Sequence, residues 1–274
     1  MLDYKYYTAE NAPTKETIIL LHGIGGNSKI FYKQIDEFKK DYNLLAIDLP
    51  GHGKSPDIAS YHENFSFDLV VNEIKKTMDH LVIKKGHFVG ISLGSIIIHN
   101  ILQKAPERVT SAVLGGAVTG FNLFSKILLV MGKAVKKVAP HMWLYSLFAN
   151  IMMPKKNHKK SRNIFIKEAK KMKRANFFSW FGIIPKAKST YKNVQIKSKN
   201  IPKLYISGEE DHLFVKRLLI DVKGDNNAQM MLLKQCGHVC NIERPLEFNA
   251  AALDFIKENI VQSNSTLERE LKFA

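Results

Sequence analysis

The stretch that decides the fold is His87-Phe88-Val89-Gly90-Ile91-Ser92-Leu93-Gly94-Ser95. Its first three residues suit a buried strand, and the following run from Ile96 to His99 suits a helix. The Gly-x-Ser-x-Gly pattern between them predicts a sharp turn, because small residues flank the serine. Such a turn holds the Ser92 hydroxyl clear of the sheet, at a helix N-terminus whose positive potential favours an oxyanion. Ser92 is therefore the candidate nucleophile.

Short, continuous apolar runs recur along the chain on both sides of this turn. Continuous apolarity is typical of strands buried on both faces of a parallel sheet. The segments between the runs have helical periodicity, and Ser66 is available to cap a helix within Phe65–Ile83. Strands that alternate with helices predict a doubly wound, mostly parallel α/β sheet. The predicted strands are Tyr4–Tyr7, Thr17–Leu21, Leu44–Ile47, His87–Val89, Val109–Leu114, Lys203–Ile206 and Ala228–Leu233, and further helices are predicted at Ser95–Lys104 and Pro245–Ile260.

The alternation of strands and helices stops between Gly116 and Asn200. This segment carries 19 Lys and Arg residues against one acid, Glu168, whereas the rest of the chain has a net charge of −2. Helical patterns at Leu123–Val138, Trp143–Met153 and Ser161–Lys173 predict an inserted helical cap over the carboxyl edge of the sheet. The predicted organisation is a core of residues 1–115 and 201–262, a basic helical cap of 116–200 and a polar tail of 263–274.

The basic cap has three interpretations. A solvated charged surface is the default for Lys155–Lys160. The second is peripheral contact with an anionic membrane surface, because Phe121–Val138 combines apolar residues and lysines as interfacial amphipathic helices do. Nucleic-acid binding is not predicted, because no recognised motif is present. The expected location is cytoplasmic, with peripheral contact at the inner membrane surface as the alternative, and the oligomeric state stays open.

The remaining bulk features exclude several classes of protein. Two cysteines rule out a disulfide framework and favour a reducing compartment. The N-terminus lacks the pattern of a signal peptide. Uncharged stretches at 86–103, 109–125 and 138–154 are marginal in length for a bilayer, so they are interpreted as buried or interfacial. Cys236-Gly237-His238-Val239-Cys240 lacks the second paired cluster typical of structural zinc, and no metal or other cofactor is predicted.

Further motifs follow the predicted strands at the edge that carries Ser92. His22-Gly23-Ile24-Gly25-Gly26 follows the first core strand, as an oxyanion-hole loop would. The backbone N–H groups of Ile24 and Leu93 are then the expected oxyanion donors. Two later strands are followed by Ser207-Gly208-Glu209-Glu210-Asp211-His212, which is rich in carboxylates, and by Cys236-Gly237-His238.

Taken in this order, the motifs resemble the α/β-hydrolase superfamily, in the branch of small lipases, esterases and carbon–carbon hydrolases with a helical cap. The resemblance covers about Thr17–Leu114 and Lys203–Ile260. It implies that Ser92 is the nucleophile, Asp211 the triad acid and His238 the general base. It also implies that the inserted segment shapes the acyl pocket.

Two features of the sequence bear on this resemblance, namely the choice of the triad acid and the length of the segment before the first core strand. Glu209 and Glu210 stay open as alternatives to Asp211, although residues 115–118 offer no rival carboxylate after the preceding strand. Only Tyr4–Tyr7 precedes the first core strand, where the family often has a longer antiparallel hairpin. The sheet is therefore expected to be one strand short at that edge.

The expected activity is hydrolysis of a small-molecule carboxylic ester through an acyl-enzyme, without a cofactor. Phe177 and Trp180 are predicted to line a pocket for an apolar acyl or aromatic group, with His22 and Gly23 beside them. Cleavage of a carbon–carbon bond, a thioester or an amide uses the same three residues and remains an alternative. A binding or signalling protein of this fold with slow turnover is the alternative from a different class.

Overall fold

The strands in the described part of the chain form one sheet. The computed structural model describes residues 1–11, 16–121, 130, 140–198 and 200–272. Within these ranges the strands are β1 (Tyr4–Tyr7), β2 (Thr17–Leu21), β3 (Asn43–Ile47), β4 (Gly86–Ile91), β5 (Val109–Gly115), β6 (Lys203–Gly208) and β7 (Ala228–Leu233). Their order across the sheet is β1-β3-β2-β4-β5-β6-β7, and every neighbouring pair is parallel except β1 with β3. The predicted doubly wound, mostly parallel sheet is confirmed.

The α-helices lie within the same described ranges of the chain. They are α1 (Tyr32–Phe38), α2 (Phe67–His80), α3 (Leu93–Lys104), α4 (His141–Met152), α5 (Lys159–Ala169), α6 (Arg174–Ile183), α7 (Ala187–Lys197), α8 (Val215–Val222), α9 (Cys240–Glu243) and α10 (Pro245–Lys272). Residues of α2, α3 and α8 belong to the apolar core on one face of the sheet, and residues of α1 and α10 belong to the core on the other. The fold therefore has three layers.

Burial along the strands follows the apolar pattern of the sequence. All five residues of β2 are buried, because β2 lies inside the sheet with helices on both faces. At the ends of the sheet, β1 and β7 are only partly buried. The edge beside β3 holds the single antiparallel strand β1, whose Tyr4 pairs with Ile47.

Local signals explain where several helices begin and end. Ser66 caps α2, since its hydroxyl accepts a hydrogen bond of 3.3 Å from the Leu69 N–H. At the C-terminus, α10 continues to Lys272, well past the predicted end at Ile260. Residues 261–272 contain neither Gly nor Pro to stop the helix, and Leu, Glu and Arg are good helix formers.

Between β5 and β6 the described residues form helices α4 to α7, with no strand among them. We call these four helices the inserted helices. The helix predicted at Leu123–Val138 falls on residues 122–129 and 131–139, which lie outside the described residues. Among the helices that are described, none combines the length and apolar character needed to cross a bilayer.

Because the internal strands are parallel, their carboxyl ends share one edge of the sheet. The loops that follow β2, β4, β6 and β7 all start at this edge. A ligand site at the carboxyl ends of the strands is the general expectation for open α/β sheets.

Candidate active site

Ser92 lies in a strained turn between β4 and α3. Its φ of 55° is in the left-handed region that side chains rarely adopt, and its N–H donates a 2.9 Å hydrogen bond to the Gly115 carbonyl. Neither flanking glycine can carry a side chain. A Cβ on Gly90 would lie 2.6 Å from Ile98 Cδ1, and a Cβ on Gly94 would overlap the Leu21 carbonyl. The turn is therefore fixed by its neighbours, and it directs the serine hydroxyl away from the sheet.

Ser95 stabilises this turn in a way the sequence did not reveal. Its hydroxyl donates a 2.6 Å hydrogen bond to the Ser92 carbonyl and accepts a 3.2 Å hydrogen bond from the Val118 N–H. The side chain thus connects the first turn of α3 to the segment that follows β5.

The structure brings Ser92, His238 and Asp211 into one chain of hydrogen bonds. His238 Nε2 lies 2.8 Å from Ser92 Oγ, and His238 Nδ1 lies 2.7 Å from Asp211 Oδ2. His238 and Asp211 are fully buried, whereas Ser92 keeps 9% of its surface exposed. An ionised carboxylate only accepts hydrogen bonds, so the Nδ1–H faces Asp211 and Nε2 accepts from the serine hydroxyl. A base in this tautomer can take the proton of a serine nucleophile.

The neighbouring carboxylates do not compete with Asp211 for His238. Glu210 turns to the inserted helices, where its oxygens accept hydrogen bonds from Lys155 Nζ (2.8 Å) and Asn157 Nδ2 (2.9 Å). Hydrogen bonds from Asn157 and Lys155 lower the pKa of Glu210 to about 2. Glu209 is exposed. Of the three acids left open by the sequence, Asp211 is the one in contact with the imidazole.

Two buried histidines hold the loop after β2. The Gly25 N–H donates to His52 Nε2 (3.0 Å), and the Leu49 N–H donates to His22 Nε2 (3.0 Å). Each ring therefore carries its proton on Nδ1, which donates to a backbone carbonyl. Burial lowers the pKa of His22, and that of His52 well below its usual value. Both imidazoles consequently stay neutral and keep their acceptor nitrogens.

Ile24 and Leu93 face the space beside Ser92. All three residues line one cavity, and no backbone acceptor in the described part of the chain takes a hydrogen bond from the N–H of Ile24 or Leu93. The Leu93 N–H is the first of α3, and the first N–H groups of a helix have no acceptor within it. On the other side, the Tyr145 hydroxyl donates a 2.9 Å hydrogen bond to the Ile24 carbonyl. This contact ties the loop to α4.

The cavity above Ser92 has a volume of about 120 Å³ and an apolar wall. The Ser92 hydroxyl lies at the base of the cavity. The Tyr145 hydroxyl donates its hydrogen bond to the Ile24 carbonyl. Helices α4, α5 and α6 supply seven of the sixteen lining residues, and the helical periodicity of the sequence does not tell which residues of these helices face the cavity. The lining residues are Ile24, Ser92, Leu93, Ile96, Val118, Phe121, Tyr145, Phe148, Ala149, Met152, Phe165, Phe177, Phe181, Ile184, Leu213 and Phe214.

Of the four predicted pocket residues, only Phe177 lines this cavity. Trp180 lies behind the wall, because its indole N–H donates to the Pro50 carbonyl (2.9 Å) and its ring packs on Phe65 and His52. His22 lies beneath the loop after β2, bound to Leu49, and is likewise outside the wall.

Gly23 backs onto the serine without facing the cavity. A Cβ there would lie 3.4 Å from Ser92 Cβ and 3.3 Å from Phe165 Cε1. Of the predicted pocket residues, Trp180, His22 and Gly23 are therefore absent from the lining of this cavity, and Trp180 and His22 support the loops at the sheet edge.

His158 connects the inserted helices to the loops that carry Asp211 and His238. It is fully buried, with Nε2 2.8 Å from Glu210 Oε2 and 3.8 Å from Glu243 Oε2. Glu243 also accepts a 2.6 Å hydrogen bond from the N–H of Gly237, the residue before His238. A Cβ on Gly237 would lie 2.8 Å from the His158 ring, so the loop passes directly under it. We call His158, Glu210 and Glu243 the His158 cluster.

The two cysteines near His238 are both buried free thiols. Burial raises the pKa of each, to about 12 for Cys240. Thiols of raised pKa are poor nucleophiles at neutral pH. In the part of the chain that the structure describes, no group of His, Cys, Asp and Glu residues has an arrangement suited to a metal ion.

The three-layer sheet, the strained turn at Ser92 and its contact with His238 and Asp211 together define a hydrolase of the α/β type. The chain has the α/β-hydrolase fold, and the family model described as the alpha/beta hydrolase fold matches residues 16–142. A curated relative from Paraburkholderia phymatum, a 2-hydroxy-6-oxononadienedioate/2-hydroxy-6-oxononatrienedioate hydrolase, is 28% identical over 264 residues, covering 88% of this chain and 87% of its own.

Two further proteins extend the comparison. The uncharacterized hydrolase YugF of Bacillus subtilis is 24% identical over 270 residues, covering 92% of this chain and 94% of its own. The structure of the enol-lactonase from Burkholderia xenovorans LB400 superimposes with a TM-score of 0.77 at 18% identity, covering 93% of this chain and 96% of that one. The structural likeness is one of fold.

Proposed function

We propose that the protein is a serine hydrolase that cleaves an uncharged carboxylic ester with an apolar acyl group. The observation that carries this proposal is the position of Ser92 Oγ, 2.8 Å from His238 Nε2, at the base of an apolar cavity. A nucleophile, a base and a carboxylate in hydrogen-bond contact are the parts that acyl transfer through serine requires.

The proposed reaction is a double displacement. His238 takes the proton of Ser92 as Oγ attacks the ester carbonyl, and the N–H groups of Ile24 and Leu93 stabilise the oxyanion. The protonated His238 then gives its proton to the leaving alcohol, which leaves Ser92 acylated. Water, deprotonated by His238, attacks the acyl-enzyme and releases the acid. Throughout, Asp211 holds the imidazole tautomer and stabilises its charged form.

The apolar wall of the cavity supports an uncharged acyl group. Neither a Lys nor an Arg belongs to the described lining, and burying a carboxylate without a partner is costly. The lining includes the rings of Phe148, Phe165 and Phe177, which suit an aliphatic or aromatic acyl chain. The enol-lactonase of the same fold gives a precedent for cleavage of an ester bond.

A second candidate is hydrolysis of a carbon–carbon bond. It is favoured by the 28% identity to the Paraburkholderia phymatum hydrolase, whose substrates are named as dioates and so carry two carboxylates. The same Ser92, His238 and Asp211 would serve that reaction. The absence of a cationic side chain from the described cavity lining makes the ester the better-supported substrate.

The test is a panel of p-nitrophenyl esters of graded acyl length, assayed beside a vinylogous diketone dioate. We expect hydrolysis of medium acyl chains, with kcat/KM rising as the acyl chain fills the cavity. Ser92→Ala is expected to lose turnover and labelling by a fluorophosphonate, while Ser111→Ala, a matched serine on β5, retains both. Turnover of the dioate in preference to every ester would replace the ester proposal. Undiminished turnover by Ser92→Ala would exclude Ser92 as nucleophile, and a folded wild type with no turnover on the panel would favour a binding role.

A further inference from the structure

Helices α4 and α5 lie side by side and run in opposite directions. At one end the His141 Nε2–H donates a 3.1 Å hydrogen bond to the Met172 carbonyl just after α5. At the other end the Arg162 guanidinium binds the Met153 carbonyl, just after α4. The two helices therefore form one layer of the molecule.

Both helices turn their inner sides to the cavity above Ser92. From α4 the lining residues are Tyr145, Phe148, Ala149 and Met152, and from α5 the lining residue is Phe165. A residue two positions along a helix points to nearly the opposite side, because each residue turns the helix by about 100°. The outer sides of both helices consequently face away from the cavity, in the same general direction.

The outer side of α4 carries two exposed apolar side chains, with the exposed Asn150 one turn further along. Trp143 and Leu147, four positions apart, are 58% and 39% exposed. Exposed aromatic and aliphatic side chains on a cap helix contribute nothing to the wall of the cavity, which the inner side of α4 already forms. Trp143 and Leu147 therefore form an exposed apolar pair on the side of α4 that faces away from the cavity.

The outer side of α5 is basic. Lys159, Lys160, Lys167 and Lys170 are exposed there, and none pairs with a carboxylate among the described residues. They belong to the segment 116–200, which carries 19 Lys and Arg residues against one acid. We call Trp143 and Leu147 together with these four lysines the outer α4–α5 surface.

We propose that the outer α4–α5 surface docks on an anionic phospholipid bilayer. An exposed tryptophan and leucine beside four exposed lysines have the composition of an interfacial helix surface. Trp143 and Leu147 would enter the headgroup region, while the lysines meet the lipid phosphates. A nucleic acid or an acidic protein would complement the charge of the lysines but would leave the Trp143 indole and the Leu147 side chain in water.

The orientation that results places the cavity one helix away from the lipid. The helix that carries Trp143 outward also carries Tyr145 and Phe148 inward, so α4 separates the bilayer from Ser92. This proposal extends the ester hydrolase proposed above but does not depend on it, because docking requires neither Ser92 nor His238.

The chain contains its own reporter of docking. It has two tryptophans, of which Trp143 is exposed and Trp180 is fully buried against Pro50 and Phe65. The experiment is performed on the full chain carrying Ser92→Ala, so that no lipid is consumed, with vesicles of phosphatidylglycerol and phosphatidylcholine in equal parts. We expect co-sedimentation with these vesicles and a shift of the emission spectrum to shorter wavelength, both weakened by added salt.

Matched variants assign the effect to the surface. Replacing Lys159, Lys160, Lys167 and Lys170 with Gln should weaken vesicle binding by more than about tenfold, since each lysine near a charged membrane contributes to attraction. Trp143→Phe should keep most of the binding and lose the spectral shift. Replacing four exposed lysines of the core with Gln removes the same charge and should leave binding nearly unchanged; these are Lys84, Lys85, Lys223 and Lys257.

Three results would overturn the proposal. The first is equal binding to vesicles of phosphatidylcholine alone, and the second is equal loss of binding in both lysine variants. The third is co-sedimentation without any movement of the Trp143 emission, accompanied by competition from a single-stranded RNA, which would identify a polyanion site. In the Ser92-containing background, each lysine variant should hydrolyse a water-soluble p-nitrophenyl ester at the parental rate. That control separates a docking defect from misfolding, and its result does not bear on whether the surface binds lipid.

Discussion

The described part of the chain holds two Ser–His–carboxylate arrangements, at opposite edges of the same sheet. One is the Ser92 arrangement at the carboxyl edge. In the other, at the amino edge, His87 Nδ1 lies 2.8 Å from Ser111 Oγ and His87 Nε2 lies 3.2 Å from Glu16 Oε2. In both, the ring nitrogen that faces the carboxylate carries the proton, and the other nitrogen accepts from the serine hydroxyl. The two arrangements therefore have the same pattern of hydrogen-bond donors and acceptors.

The surroundings of the two serines differ. Ser111 lies within β5, directly opposite His87 in the register with β4, and is fully buried. Its hydroxyl has no exposed surface that a substrate carbonyl could approach. Ser92 lies instead in a strained turn with φ of 55°, partly exposed to a cavity that Ile24 and Leu93 also line. Three side chains in contact are therefore insufficient, because reactivity also needs an accessible nucleophile and donors for the oxyanion.

The largest difference between the two arrangements is expected from their carboxylates. Asp211→Asn should lower kcat on a p-nitrophenyl ester by about 10⁴-fold, because the amide favours the wrong tautomer of His238. Glu16→Gln, the same change at the amino edge, should leave kcat unaltered. Steady-state assays of both purified variants make the comparison, and similar losses in the two would refute the distinction.

The second prediction concerns a substitution in the loop beside Ser92, which leaves the side chains of both Ser–His–carboxylate arrangements in place. Gly25→Ala places a Cβ at a residue with φ of 72°, 2.8 Å from Tyr145 and 2.9 Å from Ala169. The loop must move, and with it the Ile24 N–H, so kcat should fall by about 10²-fold. Circular dichroism checks that the variant is folded, and an unchanged kcat would show that this loop supplies no oxyanion donor.

A third change should affect stability and leave catalysis intact. Ser111→Ala removes the hydroxyl that binds His87 Nδ1 and leaves a buried ring nitrogen without its partner. We expect the free energy of unfolding to fall by about 1–2 kcal/mol, with kcat unaltered. Urea unfolding and an ester assay on the same preparation test this. Loss of activity at full stability would mean that the amino edge contributes to the reaction.

The smallest effect is a pH-dependent one at Glu16. Its hydrogen bond with His87 lowers the pKa of this carboxyl from the ordinary value of 4.5. A carboxyl with a lowered folded-state pKa stabilises the fold above its ordinary pKa, and loses that contribution as the pH falls through the folded-state value. Glu16→Gln should therefore cost less than about 1 kcal/mol at neutral pH, since the side chain is partly exposed.

The control for the Glu16 prediction is the pH dependence of the difference in stability between the wild type and Glu16→Gln. In urea unfolding at about pH 3, the wild type and Glu16→Gln should differ less than they do at pH 7, because the contribution of the ionised Glu16 is lost as the pH falls towards and through its lowered folded-state pKa. A difference that grows on acidification would contradict the assigned direction of the pKa.

The meeting of Ser92, Asp211 and His238 could be predicted from the sequence because each follows a parallel strand, and the carboxyl ends of parallel strands share one edge. The contact between His87 and Ser111 could not, since it depends on the register between β4 and β5. Of the cavity wall, Phe177 could be predicted from the sequence and the other lining residues of α4 to α6 could not. Helical spacing does not tell which turn of α6 faces the cavity, so Trp180 was chosen where its neighbour Phe181 is the lining residue.

The His158 cluster has a consequence for exchanging parts between proteins of this fold. Glu210 precedes Asp211 in the chain, and Glu243 holds the N–H of Gly237, so both carboxylates belong to the core while the imidazole between them comes from the insertion. A chimera that receives its insertion from a relative without a histidine at this place leaves two mostly buried acids facing each other beneath the loop of His238. Helices α4 to α7 and the loops beneath them are therefore not independently exchangeable, and a graft of these helices must carry the equivalent of His158 with it.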